Sequence, residues 1–122
     1  MMLLDSNIII YATQPAHAEL RRFIAEHAPS VSAVSYVEVL GYHKLTEPDR
    51  LTLEEFFAAA AVLPITQAVL DGAVKLRQAR KMTLGDALVA GTALAFGRKL
   101  VTRNVKDFTW VPDLELFNPF PD

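Results

Sequence analysis

Four carboxylates lie where buried segments of this chain begin or end. Asp5 interrupts the apolar stretch LLDSNIII, and Glu38 lies one helical turn after the stretch SVSAV. Asp86 opens the apolar stretch DALVAGTALA, and Asp107 follows the stretch LVTRNVK. Carboxylates brought together repel one another and raise each other's pKa unless a cation lies between them. Mg²⁺ and Mn²⁺ prefer oxygen ligands of this kind, so the set suggests a divalent-metal site.

Each acid also has a purely structural interpretation. Ser35-x-x-Glu38 and Thr83-x-x-Asp86 match the capping box that satisfies exposed amides at a helix start, where the helix dipole also favours an acid. Asp5 could itself be an N-cap, and Asp107 could be a turn residue. Thr52-x-x-Glu55 carries the same box without an obvious preceding strand and serves as an internal comparison. Taken singly, the acids leave both interpretations open.

The elements that would position these acids alternate between short strands and helices. Strands are predicted at the apolar or β-branched stretches 2–4, 31–34, 61–65, 100–102 and 114–116. Helices are predicted over 6–13, around 20–24, from Ser35 and around 53–60. Two more are predicted over 66–80, capped by Thr66, and after the cap Thr83. Strands separated by such helices imply an α/β class with a parallel sheet covered on both faces. Pro64 cannot donate to a central ladder, so the third strand is expected at a sheet edge.

Asp5 would then lie at the carboxyl end of the first strand. Open α/β sheets bind their ligands at that edge. In this topology the other three acids lie at the same end of their own strands or helices. The polar interruption of LLDSNIII is therefore expected where the chain leaves the core to form a site.

Composition bounds the class of protein. With 122 residues and 52% hydrophobic side chains, a single ordered domain over residues 1–122 is expected. The chain has no cysteine, which excludes disulfides and thiolate metal sites, and its three histidines show no zinc spacing. The N-terminus lacks the basic residues of a signal peptide, and the run Ala87–Gly97 is too short to span a bilayer. A soluble, cytoplasmic protein without a membrane partner is expected.

Charge is distributed unevenly along the chain. Residues 75–106 hold eight Lys or Arg side chains and one acid, a net charge of +7. The remainder holds four bases and thirteen acids, a net charge of −9. Such a basic segment favours contact with a polyanion, although two solvated helix faces would explain it equally well.

Four motifs in order identify a resemblance. LLDSNIIIYA, SYVEVL, TLGDALVAGTA and LVTRNVKDF, followed by LELFNPF near the C-terminus, resemble a PIN domain over essentially the whole chain. More narrowly, they are similar to the VapC and FitB type of toxin in bacterial toxin–antitoxin pairs. The resemblance implies a three-layer sandwich in which helices cover both faces of a five-stranded parallel sheet, with the third strand at an edge.

The resemblance also implies a function. It implies a metal-dependent endoribonuclease whose catalytic and metal-binding positions are Asp5, Glu38, Asp86 and Asp107, with Asp107 the most variable of them. It implies Mg²⁺ or Mn²⁺ as cofactor, metal-assisted phosphodiester hydrolysis by water, a small antitoxin as partner, and a homodimer. The matching residues that line the site are Ser6, Thr102 and Asn104. From the charge pattern, the expected RNA contacts are Arg98, Lys99, Arg103 and Lys106.

Two other functions compete with this one. A haloacid-dehalogenase-like phosphatase needs a second Asp two residues after the first, where this chain has Asn7, and a receiver domain needs a phosphoacceptor where it has Ile65-Thr66. A catalytically silent interaction module that keeps the fold stays open, because capping explains the acids one by one.

Overall fold

The chain forms a five-stranded, all-parallel sheet with the strand order β3-β2-β1-β4-β5. The computed structural model describes residues 1–120, and positions 121 and 122 of the predicted domain lie outside the described residues. The strands are β1 (Met2–Leu4), β2 (Ser30–Ser32), β3 (Val62–Leu63), β4 (Lys99–Val101) and β5 (Leu116–Phe117). The predicted α/β class and the edge position of the third strand are confirmed. Pro64 directly follows β3, where its missing N–H breaks no central ladder.

Within residues 1–120, six α-helices connect and cover the strands. They are α1 (Ser6–Ala12), α2 (Ala18–His27), α3 (Ala33–Leu40), α4 (Glu47–Ala59), α5 (Gln67–Ala79) and α6 (Leu84–Ala95). Two 3₁₀ turns, Pro15–His17 and Val105–Asp107, complete the regular structure. None of the helices within residues 1–120 combines the length and the apolar character that crossing a membrane requires.

The sheet buries both of its faces. Leu3 and Leu100 pack with residues of α5 and α6 on one face, whereas Leu4 and Val101 pack with α1, α2 and α4 on the other. Adjacent residues of a strand point to opposite faces, so a strand buried on both faces is apolar throughout. This explains why Leu3–Leu4 of β1 and Leu100–Val101 of β4 are apolar and buried. The packing gives the three layers that the resemblance implies.

Helix α3 begins earlier than its sequence pattern predicts. Its N-cap is Ser32, whose hydroxyl accepts the Val34 N–H at 3.1 Å, and β2 ends at that same residue. The predicted strand 31–34 therefore extends too far. The interpretation of Ser35-x-x-Glu38 as a capping box at the helix start is also wrong. Val34 fits a strand and a buried helix face equally well, so periodicity alone could not place this boundary.

The comparison motif at Thr52 is not a capping box either. Thr52 lies inside α4, where its hydroxyl donates to the Pro48 carbonyl at 3.1 Å, and the N-cap is Thr46. By contrast, the predicted caps at Thr66 and Thr83 are confirmed for α5 and α6. The last strand is shifted from the predicted 114–116 to Leu116–Phe117, because the chain is still turning at Asp113, whose φ is +66°.

Helices α5 and α6 pack closely at Gly91. A Cβ atom on Gly91 would lie 2.8 Å from the Val69 carbonyl oxygen of α5, so only glycine fits without a backbone shift. Helix α6 is buried on most of its surface, including Ala87, Val89 and Ala90. The contact fixes the position of α6 on the sheet, and with it the position of Asp86 at the helix start.

Candidate active site

Asp5 lies at the carboxyl end of β1, the central strand. It is only 4% exposed, and its backbone N–H donates to the Val101 carbonyl at 2.9 Å. The Thr102 hydroxyl, fully buried after β4, donates to Asp5 Oδ2 at 2.9 Å and accepts the Asn104 N–H at 3.0 Å. Thr102 therefore orients the Asp5 carboxylate, and the Asn104 backbone orients Thr102.

Glu38 reaches the same edge from α3. The Ser6 hydroxyl donates to Glu38 Oε1 at 2.7 Å and lies 2.8 Å from the Ser35 hydroxyl. Because Ser6 has one hydroxyl proton and gives it to Glu38, Ser35 is the donor to Ser6. Sequence reasoning did not assign Ser35 to the site. Its only signal is a spacing of three residues from Glu38, which places both side chains on one face of α3.

Gly85 gives Glu38 the space that it occupies. A Cβ atom on Gly85 would overlap Glu38 Oε2 and lie 2.9 Å from Cδ of the same side chain. The first turn of α6 therefore touches the Glu38 carboxylate directly. Sequence reasoning also missed this residue, because nothing in TLGDAL shows which side chain would meet the glycine.

Asp86 lies in that same first turn. Its backbone N–H donates to Thr83 Oγ1 at 3.1 Å, which is the predicted N-cap. Asp107 lies in the 3₁₀ turn Val105–Asp107 and is exposed. Four carboxylates from four separate segments are thus brought to one end of the sheet, as the strand and helix order predicts.

The carboxylates influence one another electrostatically. Burial raises the pKa of Asp5 from 3.8 to about 6; the hydrogen bond from Thr102 opposes this shift, and the charges of Asp86 and Glu38 add to it. Burial likewise raises the pKa of Asp86, against a hydrogen bond with Thr83, and the charges of Asp107 and Glu38 raise it further. The site therefore holds negative charge in a poorly solvated position.

The donor set fits a hydrated hard cation. Within residues 1–120, no three His, Asp or Glu side chains lie close enough together to enclose an ion by themselves. The carboxylates are nevertheless near enough to raise the pKa values of Asp5 and Asp86, and all their donor atoms are oxygen. Mg²⁺ commonly binds one or two protein carboxylates and keeps several water ligands. Carboxylates that lie near one another without enclosing an ion therefore suit Mg²⁺.

The predicted basic residues divide into three places. Lys106 lies beside Asp107 and lines a cleft at the site. The Arg103 guanidinium lies over the rings of Phe120 and Tyr11, 4.2 and 5.4 Å from their centroids. Arg98 and Lys99 lie at the amino end of β4, on the side of the sheet away from the carboxylates, and line a separate pocket.

Known proteins resemble this chain over nearly its whole length. The PIN domain family model matches residues 2–112. The tRNA(fMet)-specific endonuclease VapC of Salmonella typhimurium is 29% identical over 124 residues, covering 93% of this chain and 94% of that protein. A toxin–antitoxin complex from Klebsiella pneumoniae has a chain that superposes with a TM-score of 0.80 at 25% identity, with 100% of both chains covered.

A second solved structure supports the fold. A chain of DNA-bound VapBC from Salmonella typhimurium superposes with a TM-score of 0.84 at 20% identity, covering 98% of this chain and 100% of that one. The family model covers nearly the whole sequence and includes all four carboxylates. The chain therefore belongs to the PIN domain family and is similar to its VapC-type members.

Proposed function

We propose that this protein is a divalent-metal-dependent endoribonuclease, the toxin of a toxin–antitoxin pair. The observation that carries the proposal is the uncompensated charge of the carboxylate site. The ion pairs found within residues 1–120 join Arg50 to Glu47 and Glu54, and Lys99 to Glu115, and none reaches the site acids. Buried negative charge that forms no ion pair is what a bound metal ion would neutralise.

The residues divide the work of phosphodiester hydrolysis among them. Asp5 and Asp86 would hold Mg²⁺ or Mn²⁺, with Glu38 and Asp107 nearby. Held by these carboxylates, such an ion would supply stabilisation of the charge on the attacking and leaving oxygens of an in-line displacement. Thr102 fixes the Asp5 carboxylate, and the Ser35–Ser6 pair fixes Glu38. A bond forms between a water oxygen and phosphorus, a bridging P–O bond breaks, and the water proton ends on the leaving oxygen.

No nucleophilic side chain is needed for this reaction. The chain has no cysteine, and the buried hydroxyls at the site already hydrogen bond to carboxylates. The named activity of the similar Salmonella VapC is cleavage of a tRNA. We therefore propose RNA as the substrate class.

Removing and returning the metal tests the proposal. A chelator should abolish cleavage of a labelled RNA by the purified native protein, and Mn²⁺ or Mg²⁺ should restore it. Mn²⁺ should also raise the melting temperature, because a ligand that binds only the native state stabilises it. Cleavage that continues unchanged in excess chelator would overturn the metal-dependent mechanism.

We propose a small antitoxin as the partner. The Klebsiella relative was solved as a toxin–antitoxin complex. A segment of such a partner that lies over the site and presents a basic side chain would offset the uncompensated carboxylates. This is the same charge complementarity that makes the site suitable for a cation.

We further propose that the chain forms a homodimer through α5 and the start of α6. Leu70, Val74 and Leu84 are 43%, 55% and 59% exposed and line a groove of about 480 Å³ on this side of the molecule. Exposed apolar surface of this kind favours a second copy, because a two-fold contact covers the same patch on both chains.

A further inference from the structure

A cleft of about 330 Å³ opens beside the carboxylate site and carries both charges. Asp86 and Asp107 lie on its acidic side, and its other walls include Arg80, Lys81, Lys106 and Trp110. Its volume is within the range of small-molecule binding sites. The cleft therefore adjoins the carboxylate site and shares Asp86 and Asp107 with it.

The ends of two elements build the basic wall. Arg80 is the C-cap of α5 in an extended conformation, with φ −152° and ψ +158°, so the chain turns away from the helix there. The Arg77 Nε–H donates to the Met82 carbonyl at 3.2 Å and ties the following residues back to α5. The connection from α5 to α6 thus holds Arg80 and Lys81 at the mouth of the cleft, just before Asp86.

Trp110 lines the same cleft, and the Arg80 guanidinium lies over its indole ring. The Arg80 guanidinium carbon lies 5.0 Å from the centroid of the indole ring. The indole Nε1–H donates to the Asp107 carbonyl at 3.1 Å, so the turn that presents Asp107 also fixes the tryptophan. Nucleobases stack on aromatic rings and on guanidinium planes, and the pair offers both.

The three bases of the cleft have no acidic partner among residues 1–120. No ion pair in this part of the chain includes Arg80, Lys81 or Lys106, whereas Lys99 pairs with Glu115. Arg103 does not line the cleft, and its guanidinium lies over Phe120 and Tyr11. The cations that line the cleft beside Asp86 and Asp107, and that form no ion pair in this part of the chain, are therefore Arg80, Lys81 and Lys106.

We infer that this cleft is a nucleotide-binding subsite for the RNA next to the bond that is cut. Arg80, Lys81 and Lys106 contact the phosphate, and the Trp110–Arg80 pair stacks on the base. The inference rests on the proposed function. It adds that this nucleotide-sized cleft orients the RNA strand relative to the carboxylates. The sequence predicts RNA contacts mainly at residues flanking β4. The cleft instead places the main contacts in the connection between α5 and α6, together with Lys106.

Trp110 is the only tryptophan of the chain, which makes the inference directly measurable. Binding of a short single-stranded RNA to the native protein, without added metal, should change the tryptophan fluorescence. In a separate anisotropy assay, Arg80→Ala and Lys81→Ala should each weaken binding and flatten the log–log salt dependence by about 0.7. Trp110→Leu should weaken binding about tenfold, and Trp110→Phe should recover most of the loss.

Arg22→Ala is the matched control, because Arg22 is an exposed helical arginine on α2 outside the cleft. It should leave binding and its salt dependence unchanged. If RNA binds without a fluorescence change, and Arg80→Ala and Lys81→Ala behave like Arg22→Ala, the subsite assignment is wrong while the nuclease proposal stands. If RNA binds to none of the proteins, native included, both proposals fail.

Discussion

Gly85 is the position where the site depends on the absence of a side chain. Gly85→Ala should displace the Glu38 carboxylate and lower RNA cleavage at least tenfold, because the added Cβ overlaps that carboxylate. Stability should hold or rise, since alanine favours a helix over glycine by about 1 kcal/mol. Cleavage rates and melting temperatures measured on the same preparations check both parts.

Gly72→Ala is the control for this substitution. Gly72 is also helical, but its added Cβ would meet only the Gly91 Cα at an ordinary 3.8 Å. Gly72→Ala should therefore cleave like the native protein. Full activity in Gly85→Ala would show that the position of Glu38 does not matter for the reaction.

Asp5 makes the stability of the metal-free protein depend on pH. Its pKa in the fold is about 6 against an ordinary value of 3.8, so the fold favours the protonated form. The contribution of protonated Asp5 to the stability of the fold is fully present below about pH 4 and is lost as the pH rises through about 6. The free energy of unfolding in chelator should fall over this window by up to about 3 kcal/mol.

Urea unfolding of the native protein and of Asp5→Asn between about pH 4 and pH 8 measures this effect. The substitution should flatten the profile, because an amide does not ionise. Some slope of the same sign should remain, since the pKa of Asp86 is also raised. A native profile that instead rises with pH through this window would contradict the uncompensated burial of Asp5.

The N-cap of helix α6 should affect both the stability of the fold and the cleavage reaction. Thr83→Ala should lower the free energy of unfolding by about 1 kcal/mol, because it removes the acceptor for the Asp86 N–H. It should also reduce cleavage, since the same threonine hydrogen bonds with the Asp86 side chain. Thermal unfolding and cleavage rates measured together test the two effects.

Thr46→Ala separates those two effects. Thr46 caps α4 through the Asp49 N–H, away from the carboxylates, so its loss should lower stability by a similar amount without changing cleavage. If both variants lose stability and neither loses activity, the cap of α6 does not position Asp86 for the reaction.

The order of elements and the caps of α5 and α6 were predictable from the sequence, but the start of α3 was not. The strand ends that carry Asp5 and Thr102 follow from two buried apolar runs. The start of α3 depends on where β2 stops pairing with β3, which is a tertiary fact. Ser35 and Gly85 were missed for the same reason: each acts on Glu38 through a contact between elements that no local pattern contains.

At the scale of the whole molecule, the apolar groove on α5 and α6 should hold two copies together. Val74→Lys should convert a dimer to a monomer in sedimentation analysis, because a charge would then be buried in the contact. Leu51→Lys is the control, since Leu51 is 52% exposed on α4 outside this groove. A dimer that survives Val74→Lys would place the contact elsewhere.

We propose that the carboxylates at the end of the sheet cut RNA as one unit. The most direct test of this proposal is the cleavage rate of a labelled RNA with Mn²⁺ for the native protein, Asp5→Asn and Asp71→Asn, the last being an exposed acid on α5. We predict a loss of at least about a hundredfold for Asp5→Asn with the fold retained, and no loss for Asp71→Asn. Native-like cleavage by Asp5→Asn would show that these carboxylates do not carry the reaction.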